Sequence, residues 1–126
     1  MMITLVKSKI HRATVTGGDL DYQGSITIGR EMVEAAGMLP YELVHINNLS
    51  NAAHWETYVI CGRRGEIILN GAPSRLFRRG DKVVIFSSVH LEPSELKDFR
   101  HTVVFVDGKN AVTEVKQASA VLSAPR

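Results

Sequence analysis

The sequence predicts a mainly β protein, folded as a small barrel with short helical inserts. Three observations carry that prediction. β-Branched and aromatic residues recur in about seven short runs; Gly, Pro, Asn and Asp punctuate the gaps between them; and one segment alone has both the composition and the end signals of a helix. No internal repeat or low-complexity stretch breaks the pattern.

Residues 3–16 read as extended chain, with Lys7, Lys9, His11 and Arg12 set among β-branched residues. Period-two alternation places Lys9 and His11 on one face, and most charged strand faces are simply solvated. Gly17, Gly18 and Asp19 predict a turn, after which residues 25–28 resume as a short strand. Residues 30–36 form the predicted helix: Gly29 is an acceptable N-cap, Gly37 a C-terminal stop, and Pro40 blocks continuation. A strand at 43–46 and a loop at 47–51 follow. Residues 54–61 are the longest strand candidate, with Thr57 and Tyr58 at its centre, and a turn through Gly62 and Gly65 leads to a strand at 66–69. Asn70, Gly71, Ala72 and Pro73 open a short helical piece reaching Phe77. Residues 82–89 read as a buried strand by their Val-Val-Ile-Phe run, and 93–98 as one helical turn. Residues 101–106 and 111–115 make a hairpin across Asp107, Gly108, Lys109 and Asn110, and the Ala- and Ser-rich stretch 117–126 predicts a frayed end.

The 126 residues suffice for one domain with its own core. Hydrophobic content of 44% and charged content of 22% are those of a soluble globular protein. A net charge of +2 is too small to argue for nucleic acid, despite a pI near 8.9. Cys61 stands alone, which excludes an internal disulfide and a paired-thiolate zinc site and fits a reducing cytoplasm. The apolar run at 3–6 is too short for a signal-peptide core, and no stretch approaches the ~20 apolar residues of a membrane span. The five histidines (His11, His45, His54, His90, His101) lack i, i+2 or i+4 spacing, so the sequence predicts no metal site.

The chemistry gathers at residues 19–28, where a turn-prone approach meets a β-branched run at Gly24 and Ser25. Gly24 can hold backbone geometry closed to other residues, and Ser25 Oγ can reach the Gly24 carbonyl through a five-membered ring. Ten glycines and nine serines give about 0.7 such pairs by chance, so the dipeptide alone decides nothing.

Taken together, several stretches resemble the pyruvoyl-dependent aspartate 1-decarboxylase family. They are Lys-Ser-Lys-Ile-His-Arg at 7–12, Asp-Leu-x-Tyr-x-Gly-Ser at 19–25, Glu-Ala-Ala-Gly at 34–37, Thr57-Tyr58 and Asn70-Gly71-Ala72. All fall in the family's order, in register apart from a short deletion before Asn70, and cover the chain to about Val106. The resemblance implies a double-psi β-barrel, a homotetramer and an inactive proenzyme that cleaves itself between Gly24 and Ser25, into residues 1–24 and 25–126. It further implies decarboxylation of L-aspartate to β-alanine in the cytoplasm, feeding pantothenate synthesis.

Loss of CO2 from an α-amino acid leaves an electron pair that no ordinary side chain accepts, and enzymes usually recruit pyridoxal phosphate for it. The resemblance implies a pyruvoyl group built from Ser25 instead, holding the substrate as a Schiff base, with neither pyridoxal phosphate nor metal. By family position Thr57 binds the oxyanion of self-cleavage and Tyr58 returns a proton to the carbanion. Substrate contact falls to Lys9, Thr57, Asn70, Gly71, Ala72 and Pro73. Neighbours on a regular strand face opposite ways, so one of Thr57 and Tyr58 must reach the site through a bulge or a subunit contact. Some family members depend on an acetyltransferase-like maturation partner. The base for β-elimination is open between Tyr22 and water.

The pattern departs from the family in places. His54 replaces an arginine, Asp21 a histidine, Asn47 a residue that is often tryptophan, and Pro73 an alanine, which removes an N–H. These changes predict intact self-cleavage with weakened or redirected aspartate binding. If His54 grips a carboxylate, affinity should tighten as pH falls from about 7.5 to about 6. Two other readings stand beside this one. The first is a pyruvoyl-dependent decarboxylase of another small amino acid. The second is an uncleaved basic barrel that binds through Arg63, Arg64, Arg75, Arg78 and Arg79, although 6% aromatic content leaves little for base stacking.

Overall fold

The computed structural model describes residues 1–122, and the elements follow chain order. They are β1 (Ile3–Thr14), β2 (Gly17–Asp19), β3 (Ser25–Gly29), α1 (Arg30–Ala36), β4 (Leu43–Asn48), β5 (His54–Gly62) and β6 (Ile67–Asn70), then β7 (Lys82–Leu91), β8 (Arg100–Val106) and β9 (Val112–Ser119). Short 3-10 helices at Ala72–Arg75 and Pro93–Asp98 complete the list. The chain is therefore mainly β with short helical inserts, as the sequence predicts. No helix among the described residues is long and apolar enough to cross a membrane.

The strands hydrogen-bond in the order β2-β6-β3-β5-β4-β7-β1-β8-β9. The ends of the inner run are joined covalently, because β1 and β2 are one extended segment. Its first part pairs antiparallel with β7, its last part pairs parallel with β6, and the handover falls at two residues. Val15 N–H donates to the Asp81 carbonyl on the β7 side at 2.9 Å, while Thr16 N–H donates to Ile67 on the β6 side at 2.8 Å. One continuous strand thus closes β6, β3, β5, β4 and β7 into a barrel, and the β8–β9 hairpin extends outward from β1.

Alternation fills the interior. Ile26 and Ile28 of β3, Val59 of β5, Ile67 and Leu69 of β6, Ile46 of β4, Ile85 of β7 and Ile10 of β1 are all fully buried in one cluster. Met32, Val33 and Ala36 of α1 join it, and the helix stops where Gly37 turns left-handed at φ 67°.

Several elements differ from the sequence prediction. Residues 17–19 are a strand, not a turn: their backbone pairs with Ile68, Leu69 and Asn70, and Gly18, lacking a Cβ, lets the Leu69 carbonyl and Ser74 come close. With that strand the described residues hold nine strands, against about seven predicted. Pairing also lengthens strands past their apolar cores, so β4 includes Asn47 and Asn48, β7 runs to Leu91, and β9 continues through Ala118 opposite His101. The frayed end predicted at 117–126 is therefore strand at 117–119; residues 123–126 lie outside the described residues.

Candidate active site

β3 begins at Ser25, and its inward alternation (Ile26, Ile28) turns Ser25 and Thr27 to the opposite face. The antiparallel partner strand sets Asn70 directly across from Ser25. Asn70 Nδ2 then donates to two hydroxyls of the same face, Ser25 Oγ at 3.0 Å and Thr27 Oγ1 at 3.1 Å. Ser25 Oγ in turn donates to the Gln23 carbonyl at 2.9 Å. The hydroxyl thus folds back over the residue that precedes it, held from both sides. Ser25 is fully buried, whereas Gly24 and the three residues before it are exposed.

The approach to Gly24 is equally specific. Gly71 N–H donates to the Asp19 carbonyl at 2.8 Å, and Gly71 sits at φ 83°, ψ −154°, a region that only glycine populates. A Cβ there would lie 2.9 Å from Gly24 Cα, so the two glycines touch backbone to backbone. Beside them opens a cleft of about 340 Å³ lined by Gly17, Gly18, Asp19, Tyr22, Thr27, Ile68 and Asn70. A second cleft, of about 330 Å³, is lined by Leu91, Ser94, Glu95, Asp98 and Phe99, away from Ser25 and Gly24.

The remaining predicted site residues divide into those the fold brings near Ser25 and those it does not. The parallel β3–β5 register pairs Ile26 with Val59, so one step back Tyr58 lies alongside Ser25, on the same outward face. Its ring is 6.0 Å from that of Tyr41. Thr57 points with Val59 toward the interior and is nine-tenths buried, and no hydrogen bond joins it to Ser25 or Gly24. In the segment after Asn70, Ala72 is exposed and Pro73 is buried, where its carbonyl accepts from Leu76 N–H at 2.8 Å. Lys9 sits on β1, opposite Phe86 of β7, on the part of the continuous strand that pairs with β7 rather than with β6, and no hydrogen bond joins it to Ser25. His54 lies on β5 with Nδ1 at 2.7 Å from Asn47 Oδ1, facing Glu56 rather than Ser25. Thr27 escaped the sequence reading. Its only signal there is the i, i+2 relation to Ser25, which becomes meaningful once Asn70 is known to bridge them.

Fold and site define a mainly β barrel protein with a buried, doubly hydrogen-bonded serine at the head of a strand. The comparisons give the particular family. The profile of the family described as aspartate decarboxylase matches residues 1–113. The chain is 51% identical to an aspartate 1-decarboxylase of Pelotomaculum thermopropionicum over 122 residues, 95% of this chain and 92% of that one. It is 50% identical to that of Chloroherpeton thalassium over 119 residues (93% and 88%), and 50% to that of Lactiplantibacillus plantarum over 116 (90% and 89%). The chain belongs to the aspartate decarboxylase family.

Proposed function

We propose that this chain decarboxylates L-aspartate to β-alanine and CO2 in the cytoplasm, using a pyruvoyl group made from its own Ser25. One observation carries the proposal: the Ser25 hydroxyl is buried and clamped between the Gln23 carbonyl and the Asn70 amide, next to an exposed Gly24, in a chain about half identical to named aspartate 1-decarboxylases.

The residues suit the formation of that group. Attack of Ser25 Oγ on the Gly24 carbonyl carbon converts the amide to an ester and frees the Ser25 nitrogen. A carbonyl cannot accept the hydroxyl proton, so Oγ must turn away from Gln23 and release it to a base, Tyr22 or water. The family resemblance assigns the oxyanion formed at this stage to Thr57, a role typically worth ~3 kcal/mol, and its side chain must turn from the interior to reach Gly24. Removal of the Ser25 Cα proton by a base, Tyr22 or water, then breaks the Cβ–Oγ bond, and Oγ departs in the carboxylate of residues 1–24. Asn70 Nδ2, already 3.0 Å from Oγ, stabilises the charge that collects there. The dehydroalanine left at residue 25 hydrolyses with loss of ammonia.

When formed, the pyruvoyl group supplies the sink for the electron pair released with CO2. The chain's own residues do the rest. Tyr58 Oη, on the face of Ser25, delivers the proton to the substrate carbon, and Asn70, Gly71 and Ala72 line the approach. Lys9 makes no hydrogen bond to Ser25 or Asn70 within its own chain, which leaves room for a neighbouring copy to supply it. The exposed apolar face of Tyr41 and Leu43 beside Tyr58 favours the homotetramer.

The test is direct. Purified protein given L-aspartate should yield β-alanine, followed by NMR, and Ser25→Ala should yield none. Equal production by Ser25→Ala, or none by the parent, would overturn the proposal.

A further inference from the structure

On the outer face of β4 and β5 the pairing register assembles a group that the linear sequence conceals. His45 lies directly opposite Glu56, Asn47 lies directly opposite His54, and His54 and Glu56 share a face as i and i+2. His45 Nδ1 is 3.8 Å from Glu56 Oε1, and His54 Nε2 is 3.6 Å from Glu56 Oε2. The three donor atoms lie within 4.8 Å of one another. A second observation concerns orientation. His54 Nδ1 donates to Asn47 Oδ1 at 2.7 Å, which leaves the lone pair on Nε2, the atom that faces the carboxylate. An outer partner on the far ring nitrogen is the arrangement that fixes metal-binding imidazoles. His45 is held differently, by stacking on Phe86 at 4.7 Å and 7° between planes.

We propose that His45, His54 and Glu56 form a site for a divalent first-row transition metal of the zinc class. Two imidazoles and a carboxylate match that class, whereas calcium and magnesium prefer all-oxygen ligands. Ligand atoms about 2.0–2.1 Å from a tetrahedral zinc stand about 3.4 Å apart. The pairs at 3.6 and 3.8 Å run to different carboxylate oxygens, and drawing all three donors from within 4.8 Å to that spacing takes side-chain rotations for which their partly exposed positions leave room. Water completes the coordination on the open side. The strand carrying Tyr58 and Thr57 would then be tied to β4 by a bond to metal as well as by its ladder. Lys9 stands beyond Phe86, about two strand spacings or ~10 Å from His45.

Tag-free protein, stripped with chelator and titrated with Co2+, tests this independently of activity. The expected result is one equivalent of Co2+ per chain, with visible d–d absorption, lost in His54→Ala and in Glu56→Gln. Asn47→Ala keeps all three ligands but frees the ring, and should weaken binding about 10-fold or more. Circular dichroism checks that each variant is folded. Absence of saturable absorption in the parent, or absorption unchanged in folded His54→Ala, overturns the proposal.

Discussion

At the scale of single residues, Ser25, Asn70 and Gly71 make separable contributions. Asn70 supplies one hydrogen bond to Oγ, worth about 1–1.5 kcal/mol. Asn70→Ala should therefore slow self-cleavage about tenfold while leaving it complete at long times, as read from a gel time course. Cleavage at the parental rate would remove Asn70 from the chemistry. Gly71 acts through shape. In the uncleavable Ser25→Ala background, adding Gly71→Ala forces a Cβ to within 2.9 Å of Gly24 Cα at a glycine-only backbone angle. A loss of about 1–3 kcal/mol in urea unfolding is expected, and an unchanged midpoint would mean the loop simply moves aside.

Among the elements, the β8–β9 hairpin offers a test in pH. Its turn is organised by Asp107, whose carboxylate accepts from Ala111 N–H at 3.0 Å and Lys109 N–H at 2.8 Å. These bonds, Ala111 first, hold the Asp107 carboxyl below its ordinary range. A depressed folded-state pKa means the stabilisation is fully present above the unfolded value near 3.9 and is lost as pH falls through the folded one. Asp107→Asn should be less stable than the parent at neutral pH, with the gap closing below about pH 4. A gap that stays constant in urea titrations across that range would contradict this. The elements also divide by what made them readable. Helix α1 was legible because its signals are local, Gly29 before it and Gly37 after it. Strand β2 was not, since Gly17, Gly18 and Asp19 have turn chemistry and become a strand only because β6 supplies their partners. The same limit hid the His45, His54 and Glu56 group, which depends on cross-strand register. Ser25, Asn70 and Tyr58 were readable as a set through family likeness, not through spacing, and only the fold revealed Thr27 among them.

For the molecule as a whole, the consequence of cleavage follows from where the barrel closes. Residues 1–24 contain β1 and β2, the continuous strand that pairs with β7 at one end and β6 at the other. Cutting after Gly24 severs an exposed loop and leaves those pairings, and the buried Ile10 and Val15, in place. The two pieces should co-elute under native conditions and part only in denaturant; spontaneous release of 1–24 would contradict the closure described above. Light scattering on the same sample should give about four times the 13.9 kDa chain mass, and a monomer would contradict the proposed homotetramer. The central claim, that Ser25 turns on the bond before it, meets its most direct test in the intact mass of aged, purified protein. Two polypeptides are expected, residues 1–24 and residues 25–126, the second lighter by one ammonia than hydrolysis alone would leave it. A single unbroken chain still carrying serine at residue 25 would contradict the account.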